Sequence, residues 1–550
     1  MNKLYRRVRR AVTAIVLAGA VSPLQGQGAT TISLGDYVYN DVDRLVELGL
    51  LDSIILGQRP YSDREMARIV RVSRAGVARW VSTGEDVNRL SLARVPLGRL
   101  EARFGERESV AGTGPAGRVV HRGSVTASST DALRRAFSGN LSDRLEATID
   151  PLAEQRVGRP ALRGGSLTAD LEQQVDATSW LSFRLAERVE LAAPRDGSPV
   201  RGRAELLLGG ARVRFGNVAV RIGRDQTAWA QSQGDGLVLA SDAPALDMIS
   251  VGGDTPFRLP GPLWRLGATQ ATLVIADLGA SVVRNRSKLL AYKVSIQPHR
   301  NVELGATFLN HFGGEGGRSS SLGNRLIDFL PFVDIFRAHN YTDPTRRLDV
   351  DSDKQLGVDG RVRVPRLGGL MAMGELVIDD FDVHRIRTLF TWDGAQSVRL
   401  VLPSVAGSAV RLGLSAKHTG IRTYTHGALS NGLTTRGRLL GDELGPDAKA
   451  FGWDVTWVPA GPWRMAFEGR TAIYSRATYM TEEQGTYFVI RRVGAAANEL
   501  RDRLIATMVL HRNDRVALTA RVAGERIRNA GFAGTTRRDY AADVSVRFER

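Results

Sequence analysis

From about His121 onward, apolar and polar residues alternate with a period of two. In the stretch 515–522, Val516, Leu518, Ala520 and Val522 share one face, while Arg515, Thr519 and Arg521 share the other. The stretches 408–417 and 357–364 follow the same rule, with charged residues on one face and aliphatic ones opposite. Such alternation predicts strands with one apolar and one polar environment. Roughly 16–20 segments of this kind follow one another, divided by turns rich in Gly, Asn, Asp and Pro. Each is about the 9–11 residues that a tilted strand needs to cross a bilayer. A propeller would repeat every 40–50 residues or so, and no such repeat is present. A soluble sandwich would carry its charges on an outer face. The final strand, 540–548, alternates to Phe548, with Glu549 and Arg550 beyond it. These features predict an all-β transmembrane barrel.

Ahead of the strands the period is that of a helix. Val42, Leu45 and Val46 fall on one helical face, and Gly49 suits the stop. Ser62 and Glu65 have capping-box spacing, and Met66, Ile69, Val70 and Val77 continue behind them. A third, weaker helix is expected over 97–104. The segment 30–110 is therefore expected to form a small helical bundle packed against the barrel mouth. Before it, Lys3, Arg6, Arg7, Arg9 and Arg10 precede a short apolar run, then small residues to Ala29. That layout predicts a secretory signal peptide over 1–29, too short to stay as a membrane helix. Residues 115–550 complete the division as the barrel with long loops.

Composition sharpens this little. A mean hydropathy of −0.16 is ordinary for a soluble protein, yet alternation averages out the signal of a membrane barrel. Cysteine is absent, which removes disulfides and thiolate chemistry. The formal charge is +17. Five of those charges lie in the leader, leaving about +12 to attract anionic partners. Only six of the 75 basic residues are Lys. The arginines are scattered through strands and accompany no recognition motif, so nucleic acid is not an expected partner.

No assembled catalytic set is visible. The eight histidines are dispersed, and the zinc-protease, nucleophile-elbow and phosphate-loop motifs do not occur. Asp349, Asp351 and Asp353 begin like a calcium loop, but Lys354 and Gly360 stand where Gly and Glu belong. Neither enzyme activity, metal nor cofactor is expected. The loops 226–262, 311–353, 381–396 and 427–448 are the long ones. Arg224, Trp229 and Asp242 fall at or in the first of them, and Asp379 and Asp380 end a strand. An exposed Trp can stack on a sugar ring, Arg can pair with uronate or phosphate, and carboxylates can meet sugar hydroxyls. These five are the candidate glycan-binding residues.

Several of these stretches carry a family likeness. They are Gly223-Arg224-Asp225-Gln226 with Trp229, the run from Gly236 to Pro244, Leu356 to Arg361, and Gly374 to Phe381. With Asp43-Arg44-Leu45 and Arg59 to Ser62, they make the chain resemble the capsule assembly Wzi family. The family's Trp-Gly-Pro-Gly stretch is replaced here by Trp229-Ala-Gln-Ser-Gln-Gly234. The resemblance implies an outer-membrane β-barrel of about 18 antiparallel strands with a small N-terminal helical periplasmic appendage. It also implies a non-enzymatic protein that binds surface polysaccharide and helps its assembly or attachment. The expected partners are an acidic polysaccharide and outer-membrane lipid, and the expected state is a monomer in the outer membrane of a Gram-negative-type bacterium. The competing reading is an anion-selective porin-like channel, with Arg361, Arg411 and Arg521 facing the lumen.

Overall fold

A computed structural model describes residues 30–84, 87–105, 118–137, 147–149, 152, 163–232, 236–281, 285–317, 321–330, 352–379, 390–392, 394–425, 429, 432–484, 487–494, 497–513 and 515–549. The signal peptide expected over 1–29 lies outside them, as does most of the loop 311–353.

Eighteen antiparallel strands form one closed sheet. In chain order they are β1 (Arg118–Thr130), β2 (Gly164–Asp176), β3 (Leu181–Pro194), β4 (Arg201–Phe215), β5 (Val218–Asp225) and β6 (Leu246–Gly253, continued by Phe257–Arg258). Then follow β7 (Ala268–Asp277), β8 (Lys288–His299), β9 (Val302–Phe312), β10 (Ser352–Val364), β11 (Leu370–Asp379) and β12 (Gly394–Leu402). The last six are β13 (Val410–Thr419), β14 (Ala448–Trp457), β15 (Trp463–Tyr474), β16 (Glu499–Asn513), β17 (Val516–Arg528) and β18 (Thr536–Glu549). Each pairs with its sequence neighbour, and β1 pairs with β18 from Arg122↔Glu549 to Thr130↔Ala541, so the barrel has no edge.

The period of two decides which way each side chain points. Along β10, Asp353, Gln355, Asp359 and Arg361 are buried inside, whereas Val358 and Val362 are 56% and 43% exposed outside. Val398, Leu414, Val522 and Val544 continue that outer band on other strands. An apolar exterior over a polar interior is the inverse of a soluble protein and suits lipid. Connections at one end are short, such as 177–180, 216–217 and 300–301. Those at the other end include 226–245 and 420–447.

Three helices precede the barrel: α1 (Val38–Leu48), α2 (Asp63–Ser82) and α3 (Val87–Phe104). Ser62 caps α2, its hydroxyl accepting the Glu65 N–H at 3.1 Å. Helix α3 starts ten residues earlier than the sequence suggests and accommodates Pro96. Leu92, Ala93, Leu97, Leu100 and Phe104 bury one side of it, and that packing outweighs the lost backbone bond.

The appendage packs on the short turns at one mouth, where Arg44 and Arg64 donate to the carbonyls of Pro403 and Gly216, and α1 with the chain behind it reaches into the lumen there. Nearly all of α1 is buried, Asp41, Arg44 and Glu47 included. Asp41 pairs with Arg99 on α3, Arg44 donates to the Pro403 carbonyl, and Glu47 pairs with Arg411 at 2.8 Å. Arg363 donates to the carbonyls of Glu47 and Leu48 at 3.0 and 3.1 Å. Its guanidinium lies over Gly49, where a Cβ would sit 2.4 Å from Cζ and where φ is +82°, so only glycine fits. Across the lumen, Arg547 donates to the Gly35 carbonyl at 3.1 Å. The charged wall explains the insertion: its buried groups need partners, and the inserted segment provides them.

Candidate functional site: a plugged lumen with a polar chamber

A second segment enters from the opposite end. Residues 226–245 fold back from the tip of β5 into the barrel. Arg59 and Ala228 form an isolated antiparallel bridge, each N–H donating to the other's carbonyl at 3.0 Å. Next to it, Trp229 N–H donates to Leu239 O at 2.9 Å, and Leu237 N–H donates to Glu375 at 2.9 Å. The Tyr424 hydroxyl donates to Leu237 O at 2.7 Å and accepts the Asp442 N–H at 3.0 Å, tying in the loop 420–447. Trp229, Leu237, Val238, Leu239, Tyr424, Leu433 and Leu440 make the apolar core of this plug. Three consecutive aliphatic residues in a polar loop, 237–239, are the sequence signal for a loop that turns inward.

Below that core lies a charged layer. Glu303 accepts the N–H groups of Leu56 and Gly57 at 2.9 and 2.8 Å and pairs with Arg361 at 2.9 Å. Asp359 pairs with Lys293 and accepts from Gln231 at 2.6 Å. Two cations meet two carboxylates, with backbone and amide donors filling remaining lone pairs, as buried charge requires.

Beside the plug the lumen keeps a cavity of about 600 Å³. Its walls carry both signs. Glu443 contacts Arg470 and lies 3.4 Å from Arg503; Lys417 reaches Asp442 at 2.6 Å; Arg411 joins Glu47 to Asp454; Arg521 meets Asp543 at 2.9 Å. Burial alone would raise the Glu443 carboxyl, but Arg470, Arg503 and Lys417 hold it down to about 2. Asp242 shares the cavity and behaves oppositely: burial, then Glu443 and Asp442, push it up to about 7.

The profile of the family described as capsule assembly protein Wzi matches residues 135–380. Over that stretch the chain is similar to the Wzi capsule assembly family. Its fold is similar to that of Wzi from Escherichia coli, described as an outer-membrane protein involved in group 1 capsule assembly and a carbohydrate-binding β-barrel. The two share 16% identity at a TM-score of 0.65, over 94% of this chain and 99% of that one. Weaker likenesses include OprD of Pseudomonas aeruginosa (TM-score 0.41, 10% identity, 79% and 95% covered). Another is OccAB1 of Acinetobacter baumannii (TM-score 0.40, 8% identity, 79% and 96% covered). No curated protein sequence matches the chain.

In this barrel the candidate residues do not converge. Arg224 faces outward near the tip of β5 and pairs with Asp247 at 2.7 and 3.0 Å. Trp229, expected on an exposed loop, is 1% exposed, because the loop follows its Leu237–Leu239 run inward. Asp379 is buried at the end of β11 and accepts from Gln355 at 3.1 Å. Asp380 lies outside the described residues. Of the four that are described, Asp242 alone lines the chamber. Arg361, Arg411 and Arg521 project into the lumen, each against a carboxylate. Glu303, Glu443 and Arg470 organise the interior without any motif to announce them; alternation marks the strand positions as inward but names no partners.

Proposed function

We propose that this protein is a non-enzymatic, plugged outer-membrane barrel that binds an acidic surface polysaccharide, capsular or otherwise exported, and helps retain it on the cell. The observation that carries the reading is the Arg59–Ala228 bridge, where segments entering from both ends meet inside the lumen. A filled lumen favours holding a polymer over passing solutes, and the pairing of Arg361, Arg411 and Arg521 leaves little field for anion selection. The family match over residues 135–380 and the fold likeness to a carbohydrate-binding barrel support the polymer class. The arginine-rich mature chain suits an acidic one.

In this proposal export uses residues 1–29, the barrel acts as a monomer, and glycan contacts come from the long-loop end. Arg224, Asp242 and Asp380 belong to those contacts, while the buried Asp379 and Trp229 support the wall and the plug beneath them. Many weak contacts along a polymer would combine through multivalency. The test is gene deletion, measuring cell-attached against shed acidic polysaccharide. Shedding should rise on deletion and be restored by the intact gene; unchanged retention overturns the proposal. Planar-bilayer recording of the purified barrel should show little current.

A further inference from the structure

The outer surface of β17 and β18 breaks its own apolar rule at the long-loop end. Inward positions there are Glu525 and Asp539, both buried, so Arg526 and Arg538 point outward, and both are exposed. They stand directly opposite each other in register, with Arg528 one outward position further on. Asp502 of β16 stands directly opposite Arg526 in register, but its carboxylate is turned to Arg528, which it pairs with at 3.0 Å. Among the described residues, Arg526 and Arg538 have no ion-pair or hydrogen-bond partner.

Like charges directly opposed across two strands destabilise the pair, and the one neighbouring acid, Asp502, is engaged by Arg528, so two cations still await an anion. Their height identifies that anion. Outward positions below them are Leu518, Val522, Tyr540, Val544 and Val546, all exposed. At about 3.4 Å per residue and a tilt near 40°, Arg526 lies about 26 Å above Val516 along the membrane normal, the height of a barrel's apolar band. The two guanidinium groups therefore sit where acyl chains end and headgroups begin.

The geometry points to a site for the phosphorylated headgroup of an outer-leaflet glycolipid, its phosphate held between Arg526 and Arg538 and its acyl chains lying on the Tyr540–Val544 surface. Arginine pairs with phosphate through two parallel N–H donors, which an extended surface pair can offer from both sides. A free phosphate would gain nothing from the apolar strip, and neither would a polysaccharide. This inference rests on the outer-membrane barrel fold and not on the polysaccharide reading.

The test uses the full chain, delipidated in detergent, with bound lipid counted by native mass spectrometry. The probes are a diphosphorylated glycolipid, its dephosphorylated form, inorganic phosphate and an acidic polysaccharide. The diphosphorylated lipid should bind, and the double variant R526Q/R538Q should weaken it about thirty-fold. D502N, which leaves the arginines in place and removes the adjacent acid, should tighten it about five-fold. Heat-modifiable gel migration checks that both variants are folded. If the double variant does not fold, the D502N gain decides. Equal binding of the dephosphorylated lipid overturns the proposal. So does unchanged binding by D502N, or by folded R526Q/R538Q. Inorganic phosphate binding as tightly as the lipid would reduce it to a bare anion site, and displacement of the lipid by the polysaccharide would assign the pair to the polymer instead.

Discussion

Arg59 and Ala228 exchange both of their backbone hydrogen bonds at 3.0 Å inside the barrel, joining a segment that entered from the short-turn end to one that entered from the long-loop end. Two separate stretches of chain thus become one plug. Neither segment could satisfy these backbone groups alone once water is excluded from the lumen.

Replacing Ala228 with proline removes the N–H that reaches Arg59 and should loosen the junction. The loss is about 1 kcal/mol for the bond, and more if the Arg59 carbonyl is left without a donor. Planar-bilayer recordings should show openings in A228P that the parent lacks. A silent A228P barrel would mean that the bridge does not hold the lumen shut.

Trp229 is the largest fully buried side chain among the described residues. Trp229→Ala should cost the inserted loop about 3–5 kcal/mol. The loop should then become a protease cleavage site while the barrel wall stays intact. Resistance equal to the parent's would show that the ring contributes little to holding the loop in.

Glu303 neutralises Arg361 and accepts two backbone donors of the inserted segment. Glu303→Ala leaves a buried cation and two N–H groups unmatched, at a cost of roughly 3–5 kcal/mol. Thermal unfolding followed by near-ultraviolet circular dichroism should fall accordingly.

Two chamber carboxyls predict opposite pH dependences for the loop that carries each. Glu443 is held down to about 2, so its stabilisation is complete above its ordinary value near 4.5 and is lost as pH falls toward 2. Asp242 is pushed up to about 7, so the folded loop binds a proton that the unfolded one has released. Stability therefore declines as pH rises from near 4 to 7. Hydrogen exchange across pH 2–8 should show the acid loss vanish in E443Q and the upper slope flatten in D242N. A D242N profile that matches the parent's would remove Asp242 from this account.

The wall of the barrel was legible because each strand reports its environment locally. Asp359, Arg361 and Arg363 alternate with Val358, Val362 and Val364, and a neighbour-by-neighbour antiparallel order needs no long-range information. The helix cap at Ser62 and the stop at Gly49 were equally local. The interior was not legible. Nothing near Glu303 in sequence points to Leu56 or Arg361, and nothing near Trp229 except the Leu237–Leu239 run separates a loop that reaches outward from one that turns in.

An alternating, lipid-compatible wall with a helical segment ahead of it is written into the order of residues, since strand period and helix period are properties of adjacent residues. The tertiary structure alone decided that the helical segment and the 226–245 loop fill that wall from opposite ends. Closing the sheet brings distant buried charges and backbone groups into one water-poor space, where each must find a partner, and that pairing depends on three-dimensional position, not on order along the chain.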